Sequence, residues 1–330
     1  MFNASLKDFL LLSSIVPFST SSQLRKRVLH RDESNFISSD TQDPWKLELF
    51  DRLGRIREVC GELCSIETLD DFKRKAKDIN GYPTFTANVD CDKLMSSDDV
   101  DASDFTFPTE IPEELVPYYT LSGLIPIKPH PRHFQDAYLG KDARSNVWSR
   151  EDIDEKIKQA QEGILKGTYN SAGYTTELKD RLAALDLKGK HVLVIGSEDP
   201  WVEAICLALG AAKVTTLEYG KILSLHPQIE TLTPQAFREM FMKKALSNFD
   251  GVVSISSIEH SGLGRYGDAL NPWGDLIATG RAWCVTKSSG FLLLGLPGGS
   301  EDNIRYNAHR MYGQYRWPLV TTTGKYRSLR

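Results

Sequence analysis

The sequence predicts an α/β protein with a doubly wound, mostly parallel sheet in its second half and a helical region before it. From residue 191 onward, apolar runs recur without polar alternation, as expected of strands that are buried on both faces. Stretches with helical periodicity separate these runs. Strands that alternate with helices at this pace are typical of a parallel sheet with helices on both faces.

The predicted sheet begins with a strand at residues 191–195 that ends at Gly196. A helix at 201–209 and a second strand at 213–217 complete a βαβ unit, whose right-handed crossover makes the two strands parallel neighbours. The remaining elements are a strand at 229–232, a helix from Pro234, a strand at 250–256, a helix at 272–286 and a strand at 291–296.

The chain before residue 149 divides into three predicted segments, and residues 149–330 form the α/β domain. Residues 1–42 are expected to be disordered or a targeting segment, because Ser, Asp, Arg and Gln dominate from residue 19. Residues 43–107 predict a helical region that starts at Asp43-Pro44. Its apolar stripe is Leu49, Leu53, Ile56, Cys60 and Leu63. Residues 108–148 predict an extended surface connector, since six of the fifteen prolines lie between 108 and 131.

Two capping boxes mark further helix starts. Thr68 with Asp71 opens a helix in the helical region, and Ser149 with Asp152 opens the first helix of the α/β domain. The second of these helices is predicted to bury one face, made of Ile153, Ile157, Ala160 and Ile164. Another helix is predicted at 176–187, directly before the first strand.

Charge and hydropathy limit the partners. The net charge of −4 argues against a nucleic-acid partner and against a membrane surface. The apolar run at residues 9–18 is too short to cross a bilayer, so no transmembrane span is predicted. We expect that run to be a buried or disordered end, with the core of a secretory signal as the alternative.

The cysteines and histidines show no metal-ligand spacing. His130 and His133 lie three apart, but no third ligand is evident nearby, so we predict no metal site. Cys60 and Cys64 are expected to be small core residues on one helix face. The odd number of cysteines favours a reducing compartment, and a cytoplasmic location is the prediction.

The chemistry is expected at the carboxyl ends of the parallel strands. Gly196 permits a tight turn and lets a ligand approach the N-terminus of the next helix. Glu218 lies 22 residues further on, at the end of the second strand. A carboxylate at that position can accept both ribose hydroxyls of an adenosine ligand. The alternative for Glu218 is a solvated loop acid.

The turn after the first strand indicates which adenosine ligand fits. It lacks G-x-G-x-x-G and carries two adjacent acids, Glu198 and Asp199, which would repel the pyrophosphate of NAD. S-adenosylmethionine has no phosphate and carries a sulfonium and an ammonium group. The residues therefore favour S-adenosylmethionine as the cofactor.

A segment rich in titratable residues and glycines, 256–275, follows the fourth strand. This composition at a strand's carboxyl end is more typical of a site than of a fold requirement. His260 is a candidate base for a nucleophilic substrate, with Glu259 or Asp268 orienting it. The alternative is that His260 and Arg265 only tie this long loop to the body of the protein.

Five blocks of the sequence resemble one family: GSEDPWVEA, VTTLEYG, SSIEHSGLGRYGD, NPWGDL and NAHRMYG. That family is an uncharacterised domain of unknown function, related in sequence to class I S-adenosylmethionine-dependent methyltransferases, and the resemblance covers roughly residues 110–317. It implies a Rossmann-like methyltransferase fold. It also implies cofactor-binding roles for Gly196, Ser197, Glu218, Tyr219 and Ser257, and a catalytic role for the pair Glu259 and His260.

The sequence departs from the methyltransferase pattern in two places. The turn after Gly196 lacks the later glycines of the cofactor loop. A class I methyltransferase also has a sixth and a seventh strand, whereas residues 318–323 leave room here for one short strand. The sheet edge is therefore expected to be incomplete, and an open edge invites pairing with another chain.

The sequence thus predicts a methyltransferase that uses S-adenosylmethionine on a small molecule or a glycan, by direct transfer of the methyl group. A first alternative is a non-catalytic, methyltransferase-like protein that binds a ligand or a partner, which the degenerate loop favours. A second alternative is an NAD(P)-dependent oxidoreductase. It shares the strand-tip acid Glu218 but requires a glycine pattern that the chain lacks.

Overall fold

The computed structural model describes residues 44–79, 82–101, 109–131 and 145–322. The predictions for residues 1–42, for the Asp43 cap, for Pro108 and for His133 lie outside this part of the chain. Within it, no helix is both long enough and apolar enough to cross a membrane.

The first half is helical, with two short β pairings. Its elements are α1 (Pro44–Cys60), α2 (Leu69–Lys75), β1 (Lys77–Ile79), β2 (Tyr82–Thr84), α3 (Cys91–Ser96), α4 (Val116–Thr120) and β3 (Ile127–Lys128), with 3₁₀ turns at Gly61–Cys64, Asp99–Asp101 and Glu113–Leu115. Every residue of the predicted stripe from Leu49 to Leu63 is buried. The Thr68 hydroxyl accepts the N–H of Asp71 at the start of α2, as the capping box predicts.

The second half alternates strands and helices. Its elements are β4 (Asn146–Trp148), α5 (Arg150–Glu162), α6 (Ala172–Ala183), β5 (His191–Ile195), α7 (Trp201–Ala208), β6 (Lys213–Leu217), β7 (Ile222–Ser224), β8 (Ile229–Leu232), α8 (Pro234–Met242), β9 (Phe249–Ile255), a 3₁₀ turn at Ile258–His260, α9 (Gly274–Val285), β10 (Thr286–Gly295), β11 (Asn303–Arg305), β12 (His309–Met311) and α10 (Arg316–Val320).

A five-stranded parallel sheet forms the centre of this half, in the order β10-β9-β5-β6-β8. Read from β8 to β10 and numbered by their order along the chain, the strands stand in the order three, two, one, four, five. The strand order therefore reverses between β5 and β9, and the carboxyl ends at such a reversal are where open α/β sheets bind ligands. The prediction of an α/β protein with five strands at these positions is confirmed.

Helices cover both faces of the sheet because successive side chains of each strand point to opposite faces. Val192 and Val194 of β5 pack with α5, α6 and α7. Leu193, between them, packs on the other face with Phe237 of α8 and Val285 of α9. Both faces are thus buried at β5 and β9, which explains their continuous apolar runs, whereas the edge strand β10 is only partly buried and its Leu292 is 38% exposed.

The described residues form three further short sheets, in one of which β1 pairs with β2 in an antiparallel arrangement. β4 pairs in parallel with β7. β11 pairs with β12 in an antiparallel arrangement and with β3 in a parallel one. This second pairing joins the first half of the chain to the segment after β10.

The strand predicted at 318–323 is wrong, since residues 316–320 form the helix α10. Arg316 donates to both carboxylate oxygens of Asp275. Asp302 accepts the backbone N–H groups of Gly313, Tyr315 and Arg316. These contacts with distant carboxylates fix a helical turn at this point.

The described part of the proline-rich segment, residues 109–131, differs in its first half from the extended surface connector that the sequence predicts. Pro117 lies in the first turn of α4, where its missing N–H costs nothing. Ile111, Leu115, Tyr119 and Ile125 are all buried in the core. Residues 111–125 therefore pack into the molecule, whereas residues 126–129, which include the short strand β3, lie exposed on its surface.

Two helices of the α/β half differ from prediction at their ends. α5 stops at Glu162, because Gly163 takes a left-handed conformation with φ of +74°, and Ile164 is 55% exposed instead of buried. α6 begins at Ala172, four residues before the predicted start, because the Ser171 hydroxyl caps it by accepting the N–H of Tyr174.

Four of the five cysteines form disulfides, Cys60–Cys64 and Cys91–Cys284, and Cys206 is free and buried. Cys60 and Cys64 are buried as predicted. The expectation of reduced cysteines, however, is wrong. Spacing alone does not show that α3 brings Cys91 to the end of α9, 193 residues further along the chain.

Candidate functional site

A pocket opens at the carboxyl edge of the central sheet, next to the reversal in strand order, and encloses about 820 Å³ including its mouth. The strand ends contribute polar residues to its lining, and the sheet and the helices α8 and α9 contribute apolar ones. Five of the predicted site residues line it: Gly196, Glu218, Tyr219, Ser257 and Asp268. The other three, Ser197, Glu259 and His260, do not.

Gly196 follows β5 and is required by its surroundings. Its φ of +76° is a conformation that favours glycine, and a Cβ atom here would collide with the side chain of Ser257. The turn after β5 and the turn after β9 thus meet at this glycine. The close approach predicted for a ligand is made here by Ser257.

Glu218 ends β6 and its carboxylate is held by the backbone. Oε1 accepts the N–H of Tyr219 at 2.6 Å, and the N–H groups of Ser197 and Gly220 also bond to the carboxylate. Burial raises the pKa of Glu218 to about 7, although these three donors oppose the shift. Glu218 is therefore oriented in advance at the pocket mouth.

Ser197 faces away from the pocket and connects two elements of the sheet. Its hydroxyl donates to Oε2 of Glu203 at 3.0 Å, and the hydroxyl of Thr216 donates to Oε1 of Glu203 at 2.7 Å. Glu203 is fully buried, and this burial raises its pKa to about 7. The carboxyl group of Glu203 on α7 thereby fixes the turn whose N–H reaches Glu218. Sequence reasoning missed this residue, although an acid within the apolar helix WVEAICLA was the available signal.

Tyr219 and Asp268 both line the pocket. The Tyr219 hydroxyl is hydrogen-bonded to Ser261, and burial raises its pKa well above the usual value. Asp268 accepts the backbone N–H groups of Gly262 at 2.6 Å and of Tyr266 at 3.2 Å. Burial raises the pKa of Asp268 despite these donors. Asp268 therefore stabilises its own loop. Among the described contacts, no hydrogen bond joins Asp268 to His260.

His260 is buried behind the pocket. Its Nδ1 lies 2.5 Å from the carbonyl oxygen of Ala308, so Nδ1 carries the proton and donates. Its Nε2 lies 3.6 Å from Oε1 of Glu259. Burial, reinforced by the nearby Arg265, lowers the pKa of His260 to about 3. At neutral pH His260 is thus uncharged and a weak base, and its catalytic role stays a prediction.

Glu259 is also buried, with 1% of its surface exposed. Oε1 accepts the hydroxyl of Ser256 at 2.8 Å, while Oε2 has no hydrogen-bond partner among the described residues. Burial raises the pKa of Glu259 to about 7, so this carboxyl is half protonated near neutral pH.

A buried ionic cluster supports the loop at 256–275 from behind. Arg316 and Tyr312 both donate to Asp275, and Arg310 donates to the carbonyl oxygens of Ser261 and Asn271 at 2.6 and 3.2 Å. Burial alone would raise the pKa of Asp275, but the two guanidinium groups outweigh it and lower that pKa. The blocks SSIEHSGLGRYGD, NPWGDL and NAHRMYG therefore meet in space as one scaffold.

Asp101 and Arg281 form a wall of the pocket that the sequence did not reveal. Asp101 accepts from Nη1 of Arg281 at 2.8 and 2.9 Å, and from Nε of Arg238 at 2.5 Å. The two partners lie 180 residues apart in the chain, so no local pattern predicts the pair. The helical first half thus contributes directly to the site.

The described residues contain no group of three or more His, Cys, Asp or Glu side chains that could hold a metal ion.

The fold and the site define an α/β protein with a ligand pocket at the carboxyl edge of a five-stranded parallel sheet. Residues 189–326 match a family model described as a Caenorhabditis protein of unknown function, DUF268, so a DUF268 domain occupies this part of the chain. The match begins just before β5 and extends past α10. No curated protein matches the chain.

Proposed function

We propose that the chain binds S-adenosylmethionine in this pocket and transfers its methyl group to a small-molecule or glycan acceptor. One observation carries the proposal: the backbone-held carboxylate of Glu218 lies at the mouth of a pocket beside the strand-order reversal. In doubly wound sheets a carboxylate at this position binds the ribose of an adenosine ligand, and the three backbone donors leave Glu218 room to accept one ribose hydroxyl. We accordingly assign the domain to the Rossmann-like methyltransferase class.

The charge around the pocket supports S-adenosylmethionine over NAD. The turn before α7 presents Glu198 and Asp199 at the helix N-terminus, the position where a pyrophosphate would bind. Lys156 lies 3.0 Å from Asp199 and offsets only one of these two acids. A ligand with a sulfonium and an ammonium group fits this acidic edge better than one with two phosphates.

The proposed reaction is a direct displacement. The acceptor oxygen or nitrogen attacks the methyl carbon, the carbon–sulfur bond breaks with its electron pair going to sulfur, and the acceptor proton leaves to a base. Binding both reactants in line accounts for most of the rate in such a transfer.

The position of His260 favours a second candidate, a non-catalytic protein that binds the same ligand. His260 and Glu259 do not line the pocket, and Nδ1 of His260 is engaged by the Ala308 carbonyl. Unchanged turnover in His260→Ala would exclude the base role. A protein that binds S-adenosylhomocysteine but methylates no acceptor would favour the second candidate.

The first experiment is a thermal-shift titration of the full chain with S-adenosylmethionine, S-adenosylhomocysteine and NAD. Ligand at a hundred times its Kd adds about 2.7 kcal/mol of stability, which raises Tm by several degrees. We expect a shift with the two S-adenosyl compounds only. Absence of a shift with all three would contradict the proposal, and a shift with NAD alone would favour the oxidoreductase.

A matched pair of variants locates the binding site. Glu218→Gln should weaken the binding of S-adenosylhomocysteine about tenfold or more, because one of the two acceptor oxygens is replaced by an NH₂ donor that also faces the backbone N–H groups around it. Glu239→Gln removes an exposed carboxylate of α8 that pairs with Lys243, and it should bind like the wild type. Equal affinity in both variants would place the ligand elsewhere.

We further propose that the chain resides in an oxidising compartment rather than in the cytoplasm. The two disulfides support this, since such bonds persist mainly in oxidising environments. Thiol alkylation of protein taken directly from cells, followed by mass spectrometry, should label only Cys206 after denaturation. Labelling of all five cysteines would restore the cytoplasmic expectation.

A further inference from the structure

We propose that Asp101 recognises the exocyclic amine of the nucleobase of the ligand, so that the helical first half determines the base specificity of the pocket. This inference rests on the proposed function. Asp101 lies outside the matched segment 189–326. The inference therefore assigns a binding residue to a part of the chain that the family match does not cover.

The shape of the pocket separates a ribose end from a base end. Glu218 stands at the mouth, at the tip of β6. Leu193, in the middle of β5, also lines the pocket, so the space continues below the sheet edge. Phe237 and Ala282 bound this inner part on the helix side. A nucleoside with its ribose on Glu218 places its flat base in the apolar interior, which suits an aromatic ring system.

Asp101 offers a hydrogen-bond acceptor to the pocket, whereas Arg281 beside it has no donor left for a ligand. Nε and Nη2 of Arg281 donate to the carbonyl oxygen of Leu94, and Nη2 also donates to that of Ser97. Nη1 donates to both carboxylate oxygens of Asp101. A carboxylate accepts about four hydrogen bonds. The two contacts from Arg281 and one from Arg238 leave Asp101 with capacity for one more. The remaining lone pair of the Asp101 carboxylate can only accept a hydrogen bond, so it favours a ligand group that donates one.

The position of Asp101 is fixed before a ligand arrives. The guanidinium of Arg281 joins Asp101 to α9. The disulfide Cys91–Cys284 joins the preceding helix, α3, to α9 as well. A preorganised acceptor loses little on binding, whereas a mismatched base would leave it without its donor. The pocket should therefore prefer a 6-amino purine to a 6-oxo purine.

The test compares two ligands that differ at this one group, S-adenosylhomocysteine and S-inosylhomocysteine, by calorimetric titration of the full chain. We expect the wild type to bind the amino compound about tenfold or more tightly than the oxo compound. In Asp101→Asn the preference should fall toward one, because an amide can also donate to the oxo group.

Asp99→Asn is the matched control. Asp99 belongs to the same 3₁₀ turn but pairs with the exposed Arg55 and does not line the pocket. It should keep the wild-type preference. If Asp101→Asn does not fold, Asp101→Glu keeps the charge, displaces the carboxylate by one methylene group, and should lose the preference in the same way.

The outcomes separate this inference from the proposed function. If the wild type binds neither compound, the proposed function fails and this inference fails with it. If the wild type binds both compounds equally, only the role of Asp101 is overturned. An undiminished preference in a folded Asp101 variant overturns it as well.

Discussion

Three glutamates near the carboxyl edge of the sheet share a raised pKa but differ in the donors around them. Glu203 receives two hydroxyl groups and Glu218 three backbone N–H groups. Glu259 receives one hydroxyl on Oε1 and has no partner on Oε2. The donors decide the role: Glu203 is a structural link, and Glu218 is a fixed acceptor facing the pocket.

Glu203→Gln should change the pH dependence of stability. Because burial raises the pKa of Glu203 to about 7, the folded state keeps a proton that the unfolded chain loses above about pH 4.5. Its contribution to stability is fully present below the unfolded pKa and is lost as the pH rises toward 7. Between pH 5 and pH 8 the variant should gain about 2 kcal/mol relative to the wild type. Urea denaturation at both pH values measures this gain.

Glu177→Gln is the control for that measurement. Glu177 pairs with Arg181 on the surface of α6. Its stability difference from the wild type should stay within about 0.5 kcal/mol at both pH values. A constant difference for Glu203→Gln as well would show that Glu203 ionises normally in the folded protein.

Gly196 permits a second residue-scale prediction. Gly196→Ala would force a Cβ into the side chain of Ser257 at a positive φ, so it should lower stability by about 2 kcal/mol or more. Gly54→Ala is the control, because Gly54 is exposed within α1 and a Cβ there contacts nothing within 4 Å. That change should be neutral or stabilising. Equal Tm values for the two variants would contradict the required role of Gly196.

At the scale of elements, hydrogen bonds and a disulfide join the short helix α3 to α9. Arg281 of α9 donates to the carbonyls of Leu94 and Ser97, at and just beyond the end of α3, and the disulfide Cys91–Cys284 connects the same two helices. This attachment holds the helical region against the face of the sheet where the pocket lies.

The two disulfides should differ in their contribution to stability. Cys91–Cys284 closes a loop of 193 residues, whereas Cys60–Cys64 closes one of four. Because a cross-link restricts the unfolded chain more when the loop is longer, Cys91→Ser with Cys284→Ser should cost about 3 kcal/mol or more. Cys60→Ser with Cys64→Ser should cost clearly less. Urea denaturation without reductant measures both, and an equal loss would contradict the loop-length argument.

Elements were predictable from the sequence where their signal is local. The strands β5 and β9 have apolar runs because both of their faces are buried, and α5 has its own capping box. α10 was not predictable, because Arg316 becomes helical through a partner 41 residues away. The prolines near α4 wrongly predicted an extended chain for a related reason. The burial of the Leu115 and Tyr119 side chains in the core outweighs the local preference of the prolines.

At the scale of the whole molecule, the site was predictable only on one side. Gly196, Glu218 and Ser257 follow adjacent parallel strands, whose carboxyl ends must meet at one edge. Asp101 comes from the first half of the chain and reaches the pocket only through tertiary packing. His260 follows the right strand but lies behind the pocket, because the direction of a side chain in a 3₁₀ turn is not encoded in strand order.

One hydrophobic core runs through both halves of the chain. Leu53, Leu115 and Tyr119 of the first half pack in the same cluster as Ile258 and Trp273 of the second half. The predicted boundaries at 43–107, 108–148 and 149–330 therefore cut through a shared core, and they stay a prediction to be tested on fragments.

A fragment of residues 145–330 tests whether the α/β half folds alone. Removing the first half exposes the apolar surface around Ile258 and Trp273, so we expect no cooperative thermal transition and strong binding of a hydrophobic dye. The fragment should carry Cys284→Ser. The full chain with Cys91→Ser and Cys284→Ser is its control, because it lacks the same bond but keeps the core, and it should melt cooperatively. Co-expression with residues 1–131 should restore a cooperative transition. A fragment that melts as sharply as this control would instead make residues 145–330 an independent domain, with the helical region an addition to its surface.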